Sequence, residues 1–176
     1  MPRGKRLRQL PVSALRHRIV GALLAAPVLA LALAARPAIA EPALTILRGD
    51  RAGLEYTLPE LAALPQATII TENDFMDGAL AYRGPSVAAV LQPLCLDPEA
   101  KIEFTAANDY VVSIPLSDLL EYRAILAMEV DGTPLSRRDK GPLWLMYPIS
   151  SHPELREPVY LGRLIWQIVR IDVGAR

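Results

Sequence analysis

The clearest pattern of apolar and polar positions lies along Lys101–Ala106. Ile102, Phe104 and Ala106 fall on one side of this segment, and charged or hydroxyl-bearing residues alternate with them. A period of two residues is typical of a strand that buries only one face. The sequence therefore predicts a half-buried strand here.

A second alternating segment, Leu164–Val173, lies near the end of the chain. Ile165 and Val169 share its predicted inner face with the polar Gln167, which weakens the pattern in the middle, and Trp166 falls on the opposite face. We predict one strand over this segment.

The remaining elements are short and are separated by turn residues. Apolar runs predict six further strands, at Ala43–Leu47, Leu54–Leu58, Ala67–Thr71, Tyr110–Ile114, Ala124–Val130 and Leu143–Tyr147. Short helices are predicted with Pro59 in the first turn, with Ser86 or a neighbour as the cap, and from Pro115, since serine caps helices and proline is tolerated in the first turn. Polar residues and prolines predict loops at Glu72–Gly78 and Ile149–Pro158. The pattern favours an α+β fold with a mixed or antiparallel sheet core.

The segment Arg137–Trp144 places four consecutive charged residues directly before a Gly-Pro pair. Because the predicted strand Leu143–Tyr147 overlaps its end, the charges are expected at the start of a core strand, where they could meet a polar ligand. The alternative is a solvated loop before a strand, and the pattern alone favours that alternative.

The first forty residues have the three-part layout of a secretory signal peptide. A basic segment precedes the apolar run Ile19–Ala35, and Ala38-Ile39-Ala40 supplies the small residues of a cleavage site. We predict cleavage after Ala40, a periplasmic location, and one domain over residues 41–176. An uncleaved anchor is the alternative, but the run is short for a span of about 20 residues.

Removal of this leader changes the charge balance. The whole chain has 19 basic and 19 acidic residues, and seven of the basic residues lie before residue 41. The 12 that remain face 19 acidic residues, which leaves a net charge near −7. An acidic surface repels nucleic acid, so we predict no nucleic-acid partner.

One cysteine and one histidine follow the leader. Cys95 has no partner for an internal disulfide, and its leucine neighbours predict a buried thiol that packs as a small hydrophobe. Together with His152 it is too little for a zinc site. Ser150 and Ser151 precede His152, but neighbours in sequence do not form a catalytic triad, and a loop is the favoured interpretation.

Three polar clusters stand at predicted strand ends, each beside an aromatic residue. The clusters are Glu72–Asp77, Asn108–Tyr110 and Arg137–Lys140, and the aromatic residues are Phe75, Tyr110 and Trp144. Flat rings beside carboxylates, amides and cations suit a planar heterocycle that is stacked and hydrogen-bonded at its edges. Turn chemistry and core aromatics explain the same residues, and taken alone this is the preferred interpretation.

A series of motifs in one order changes this weighting. The motifs are Asn108-Asp109-Tyr110, Ile114-Pro115 with Asp118, Asp131-Gly132, Arg138-Asp139-Lys140-Gly141-Pro142-Leu143-Trp144, Tyr147-Pro148 and Ile165-Trp166-Gln167. Over essentially the whole chain after the leader, they resemble the small exported proteins of the sulfite-oxidase-type molybdopterin-binding fold. Among these, the chain is most similar to the periplasmic pterin-binding regulators.

This resemblance implies a sulfite-oxidase-like α+β fold and a pterin ligand, for example a reduced tetrahydropterin. It also implies a partner, the periplasmic domain of an inner-membrane cyclic-di-GMP signalling protein. The expected ligand-binding residues are Asn73, Phe75, Asn108, Asp109, Tyr110, Arg138, Asp139, Lys140, Trp144 and Tyr147. Asp139 is favoured over Asp109 as acceptor of the ring's paired amine and N–H donors, because Arg138 and Lys140 flank it.

Two departures from the catalytic branch favour a protein without enzymatic activity. The resemblance implies a cysteine as molybdenum ligand in the region Thr68–Asp74, which contains no cysteine, and a hydroxyl is a poor substitute for sulfur. The leader also lacks the adjacent arginine pair that is typical of proteins exported folded with their cofactor. In addition, the loop Glu72–Phe75 lacks the proline and the tryptophan that are expected in the subgroup, and Phe75 is the candidate to replace the aromatic residue.

Three functions remain open at this point. The preferred one is an exported pterin-binding ligand sensor. The second is a molybdopterin-dependent oxidoreductase with an atypical metal site that lacks the usual cysteine, so the molybdenum cofactor is the less favoured ligand. The third is an interaction domain with a vestigial pocket.

Overall fold

A computed structural model describes residues 41–49 and 51–174. The predicted signal peptide, residues 1–40, lies outside the described residues. The strands are β1 Leu44–Arg48, β2 Arg51–Tyr56, β3 Gln66–Asn73, β4 Met76–Pro85, β5 Lys101–Ala106, β6 Val111–Pro115, β7 Ile125–Ala127, β8 Glu129–Val130, β9 Thr133–Pro134, β10 Trp144–Met146 and β11 Ile168–Asp172. The α-helices are α1 Leu58–Ala63, α2 Val87–Leu91, α3 Leu116–Glu121 and α4 Pro158–Leu161. Short 3₁₀ turns lie at Gln92–Leu94, Arg137–Asp139, Ile149–Ser151 and Pro153–Arg156.

The described strands form three sheets. The largest has the order β2-β1-β11-β5-β6, in which β1 and β11 are parallel and the other pairs are antiparallel. An antiparallel sheet has the order β3-β4-β8-β9, and β10 pairs with β7. The predicted α+β class with a mixed sheet core is confirmed.

The predicted helix starts are also confirmed. The Thr57 side chain accepts a hydrogen bond from the Glu60 backbone N–H, and the Glu60 carboxylate accepts one from the Thr57 N–H, which forms a capping box at α1. Ser86 Oγ accepts from the Ala89 N–H and caps α2. Pro115 lies at the N-cap position of α3.

The core is built on the strand that follows the Arg137–Lys140 charges. Trp144 and Tyr147 are fully buried, and Tyr82 packs edge-on against Trp144 with 5.5 Å between ring centroids. The alternation in β5 holds for Ile102 and Phe104, which are fully buried. Within the described residues, no helix is long and apolar enough to cross a membrane.

Two predicted boundaries are wrong. Glu72–Gly78 is not a loop: β3 and β4 form a hairpin, and only Asp74 and Phe75 form its turn. Ala124–Val130 is not one strand: β7 pairs with β10, β8 pairs with β4, and the Met128 N–H between them donates to the Arg83 carbonyl. In the first case the two arms of the hairpin pair with each other, and in the second each half of the segment pairs with a distant strand; this pairing satisfies the backbone and overrides the local pattern.

The last strand also differs from its prediction. Gln167 has a φ of 54°, and β11 begins only at Ile168. A register shift between Ile168 and Arg170 turns Ile168 into the core and leaves Val169 40% exposed. The inward placement of Val169 was therefore wrong, because a β-bulge inserts a residue and reverses the facing of its neighbours.

The predicted burial of Cys95 is wrong as well. Cys95 is exposed and forms the end of the 3₁₀ turn Gln92–Leu94, with a φ of 46°. The two flanking leucines, Leu94 and Leu96, are half-buried. Cys95 adopts the left-handed conformation, and it is exposed while both leucines pack against the core.

Candidate functional site

A cleft of about 270 Å³ opens between the β3–β4 hairpin, the β5–β6 turn and the segment that follows α4. Its lining residues are Phe75, Ala106, Asn108, Tyr110, Leu161, Gly162, Leu164, Ile165 and Trp166. We call this the aromatic cleft, because three of its walls carry flat rings.

The rings are held by contacts across the chain. Phe75 stands edge-on to Trp166, with centroids 5.0 Å apart and planes at 68°, and its ring lies 6.4 Å from that of Trp144. The Tyr110 hydroxyl donates to the Gly162 carbonyl at 3.2 Å and so connects two walls of the cleft. Phe75 is 38% exposed and Tyr110 is 51% exposed, so both rings are available to a ligand.

The buried side chain of Asn73 holds the hairpin turn that carries Phe75. Asn73 Oδ1 accepts from the Phe75 N–H at 2.9 Å, and Asn73 Nδ2 donates to the Tyr82 hydroxyl at 2.6 Å. The Asn73 side chain is therefore engaged in holding the turn, which is the typical use of asparagine at such positions. The hydrogen bond from Asn73 to the Tyr82 hydroxyl also anchors the turn to the core.

The β5–β6 turn presents Tyr110 in a similar way. Asn108 Oδ1 accepts from the Tyr110 N–H at 3.3 Å. Asp109, at φ 63°, occupies the left-handed region that asparagine and aspartate tolerate in turns. Asn108 lines the aromatic cleft, whereas Asp109 is exposed beside it.

A second cavity of about 440 Å³ lies beside the aromatic cleft, and Leu161 lines both. Its other lining residues are Glu72, Asn73, Asp74, Met76, Gly78, Ile149 and Arg156. Arg156 lies 3.8 Å from the Glu72 carboxylate. The polar lining contrasts with the aromatic walls of the first cleft.

The charged segment before Trp144 is a tight 3₁₀ turn at the surface. The Ser136 hydroxyl donates to Asp139 Oδ2 at 2.6 Å, and the Lys140 ammonium lies 5.4 Å from the centre of the Trp144 ring and 3.9 Å from the Met76 sulfur. A Cβ added at Gly141 would collide with the Leu135 backbone carbonyl, so glycine is required where the end of the turn packs against the residue that follows β9.

Two predicted aromatic ligand residues belong to the core. Trp144 is fully buried, and its indole N–H donates to the Leu164 carbonyl at 3.1 Å. Tyr147 is fully buried too, and among the described residues its hydroxyl has no hydrogen-bond partner. Burial raises the pKa of the Tyr147 hydroxyl above its usual range, and the Arg163 guanidinium offsets part of that rise.

The structure thus divides the ten predicted site residues. Phe75, Asn108 and Tyr110 meet in the aromatic cleft and Asn73 lines the second cavity. The others line neither cavity: Asp109, Arg138, Asp139, Lys140, Trp144 and Tyr147. Trp166 was not among the predicted site residues, although it lines the cleft. Two features of the sequence could have indicated it: it belongs to the motif Ile165-Trp166-Gln167, and it falls outside the core face of the predicted strand.

Behind the cleft lies a cluster of aromatic and charged side chains. Arg163 donates to the Asp118 carboxylate, and its guanidinium stacks 4.7 Å from the Tyr160 ring centre. Two effects raise the pKa of the Tyr122 hydroxyl to about 12. The larger is a hydrogen bond with Tyr160, and the second is burial. This cluster connects α3 to the segment after α4.

The candidate nucleophile is not supported by the geometry. Ser150 Oγ accepts from the Glu72 N–H at 2.9 Å and binds the hairpin, whereas His152 stands against Tyr122 and places Nδ1 3.3 Å from the Glu154 carboxylate. The Ser150 and His152 side chains therefore contact different residues, and they are not arranged as a nucleophile and its base.

The fold and the cleft define a class of protein. The profile of the family described as "Oxidoreductase molybdopterin binding domain" matches residues 43–151, and the chain belongs to this family.

Two relatives illustrate the similarity. The putative protein-methionine-sulfoxide reductase subunit YedZ1 of Azospira oryzae is 32% identical over 97 residues, which are 53% of this chain and 37% of that protein. The crystal structure of the sulfane dehydrogenase SoxCD from Paracoccus pantotrophus has a TM-score of 0.55 at 18% identity and covers 76% of this chain and 38% of that chain. The second similarity supports the predicted sulfite-oxidase-like fold. The chain spans well under half the length of either relative.

The donor set does not fit a thiolate-held molybdenum. Thr71 lies in the β3 region where a cysteine was expected; it is buried, and its hydroxyl accepts from the Ser150 N–H and donates to the Glu72 carbonyl. Cys95 is exposed and lines neither cavity. Among the residues that the structure describes, no group of three histidine, cysteine, aspartate or glutamate side chains could hold a metal ion. No reaction step is therefore assigned to the metal.

Proposed function

We propose that this protein is an exported, non-enzymatic pterin-binding protein that reports its ligand state to the periplasmic domain of an inner-membrane cyclic-di-GMP signalling protein. The observation that carries the proposal is the aromatic cleft, where Phe75, Tyr110 and Trp166 surround a space with few polar groups. A flat bicyclic ring gains contact area from such walls without a covalent or metal bond.

The size of the cleft supports a small ligand. Its volume of about 270 Å³ lies just below the range of about 300–1,000 Å³ that is usual for ligand pockets. A pterin ring system fits this space, and a substituent on the ring would extend towards the second cavity or the solvent. The metal-bearing end of a molybdopterin would in addition need a ligand that the Thr71 hydroxyl is poorly suited to supply.

Polar groups at the edge of the cleft would orient the ring. Asn108 offers an amide, and the Gly162 carbonyl and the Tyr110 hydroxyl face each other across the opening. Asp139 remains our proposed acceptor for the paired ring donors. Because it lines neither cavity, this role requires the turn Arg137–Asp139 to move towards the cleft and the carboxylate to exchange the Ser136 hydroxyl for the ligand.

The signalling part of the proposal rests on the leader and on the motif resemblance. Exposed apolar side chains of Phe75, Met76 and Tyr110 stand at or beside the cleft. A partner that covered them would contact bound ligand directly, so ligand occupancy would change its affinity for this surface. Periplasmic location and the identity of the partner are part of the proposal.

A molybdopterin-dependent oxidoreductase is the second candidate. Membership of the molybdopterin-binding domain family favours it, and the relative from Azospira oryzae carries a reductase subunit name. The two candidates differ in what the purified protein should hold.

Protein purified from the periplasm of its host separates them. We expect a stoichiometric fluorescent pterin after denaturation and oxidation, with molybdenum far below one atom per chain. Anaerobic calorimetry with 6-methyltetrahydropterin should then give one site. Stoichiometric molybdenum would establish the second candidate, and absence of both ligand and binding would leave an interaction domain.

A further inference from the structure

The aromatic cleft has two opposing walls that belong to separate parts of the chain. One wall is the β5–β6 turn with Asn108 and Tyr110, and β6 leads from it directly into α3. The other wall is the segment from Leu161, the last residue of α4, to Trp166. The cleft width therefore depends on what connects the turn–β6–α3 unit to this segment.

Two side-chain contacts connect the walls. At the cleft itself, the Tyr110 hydroxyl donates to the Gly162 carbonyl. At the far end of β6, Asp118 on α3 accepts from Arg163, and the residues on either side of Arg163, Gly162 and Leu164, both line the cleft. The two contacts thus lie at opposite ends of one strand and act on the same short segment.

The second contact is much better protected from solvent than the first. The side chains of Arg163 and Asp118 are 13% and 22% exposed, compared with 51% for the Tyr110 residue. Arg163 is further held by the Tyr160 ring at 4.7 Å. A partly buried, charge-assisted pair keeps its geometry better than a neutral hydrogen bond at the surface, and salt screens it less.

From this geometry we propose that the Asp118–Arg163 ion pair is a clamp that sets the width of the aromatic cleft. Asp118 and Arg163 are positioning residues: neither lines the cleft, and each acts through Gly162 and Leu164. The proposal rests on the proposed function in so far as the cleft binds a pterin ring. Without the clamp the segment after α4 retreats, the ring loses contact with one wall, and dissociation becomes faster.

The test compares Asp118→Asn with the wild type and with Glu129→Gln, which removes the same charge from the exposed Arg83–Glu129 pair. Affinity for 6-methyltetrahydropterin and its dissociation rate are measured well below the melting temperature of each protein. We expect Asp118→Asn to bind about tenfold more weakly through faster dissociation, and Glu129→Gln to stay within twofold. Asp118→Glu should recover part of the loss.

Hydrogen exchange supplies a readout that needs no ligand. The clamp predicts faster exchange of the amides in 162–166 and 108–111 in Asp118→Asn, with unchanged exchange in β1 and β2. If Asp118→Asn does not fold, Arg163→Lys, which keeps the charge but loses the planar fork, takes its place.

The outcomes separate the two proposals. No pterin binding by the wild type, together with the expected local exchange, would sink the pterin function and leave the clamp standing. Normal pterin affinity in a folded Asp118→Asn protein, or exchange that rises evenly over the whole domain, would overturn the clamp.

Discussion

Phe75 and Trp166 meet edge-on with 5.0 Å between their ring centroids, and this contact joins the β3–β4 hairpin turn to the segment before β11. Both rings line the aromatic cleft. Edge-to-face pairs of this kind are worth about 0.5–1.5 kcal/mol beyond the area that they bury. The contact therefore shapes the cleft and stabilises two loops at once.

Trp166→Ala should weaken binding of a tetrahydropterin by about tenfold, because the ring loses one wall and Phe75 loses its support. Trp166→Phe keeps a flat ring at the same place and should lose about threefold or less. Calorimetry on both variants, after circular dichroism has shown that they are folded, measures the difference. Equal affinities for the alanine and phenylalanine variants would remove Trp166 from the site.

Asp139→Asn tests the orientation of the ligand. If the Asp139 carboxylate accepts the paired ring donors, this change should cost about 1.5–3 kcal/mol of binding free energy, a ten- to hundredfold weaker affinity. Ser136→Ala is the matched control, since it removes only the hydroxyl that now occupies the carboxylate. If the Asp139 carboxylate only stabilises the 3₁₀ turn, both variants should lose a little stability and keep the wild-type affinity for the ligand.

Tyr147→Phe should leave the free energy of unfolding at pH 7 unchanged or raise it by up to about 1 kcal/mol, because the buried hydroxyl has no partner among the described residues. Burial raises the folded-state pKa of Tyr147 above the unfolded value of 10. Its contribution to stability is therefore complete below pH 10 and is lost as the pH rises from there through the folded pKa.

We accordingly expect the Tyr147→Phe protein to resist alkaline unfolding better than the wild type. Urea unfolding at pH 7 and at pH 11 measures the effect. The same loss of stability between pH 7 and pH 11 in Tyr147→Phe and wild type would contradict the assignment.

Gly141→Ala should destabilise the fold by about 2 kcal/mol or more, since the new Cβ would collide with the Leu135 carbonyl and neither backbone can give way cheaply. Gly162→Ala is the matched control for stability, because its nearest contact would be an ordinary 3.4 Å from the Pro158 carbonyl. The melting temperatures of the two variants, measured by thermal unfolding, test this expectation. Similar melting temperatures would show that the turn before β10 adjusts more easily than its packing indicates.

Cys95→Ser should change stability by less than about 0.5 kcal/mol, because the thiol is exposed. Cys95→Gly should stabilise the protein by up to about 1 kcal/mol, since glycine adopts the φ of 46° without strain. A thiol reagent should modify the native wild type at the rate of a free cysteine. A thiol that reacts only after unfolding would restore the buried interpretation.

The local pattern was sufficient for most of the elements. The alternation along Lys101–Ala106 defines β5, and the cap at Ser86 defines the start of α2, because period and capping act within a few residues. The α+β class follows from the same short elements. Three of the aromatic and amide residues expected at a ligand, Phe75, Asn108 and Tyr110, lie in one cleft.

What the sequence by itself determined about this protein is thus the α+β class, the short elements and the polar turns. Only the tertiary structure decided which side chains share the cleft. Trp144 and Trp166 look alike in sequence, yet β10 lies inside the fold and buries Trp144, while Trp166 lies before β11, next to the left-handed Gln167, and forms a wall of the cleft. The side on which a ring finally lies depends on strand pairing with distant residues, and a one-residue shift of register reverses it.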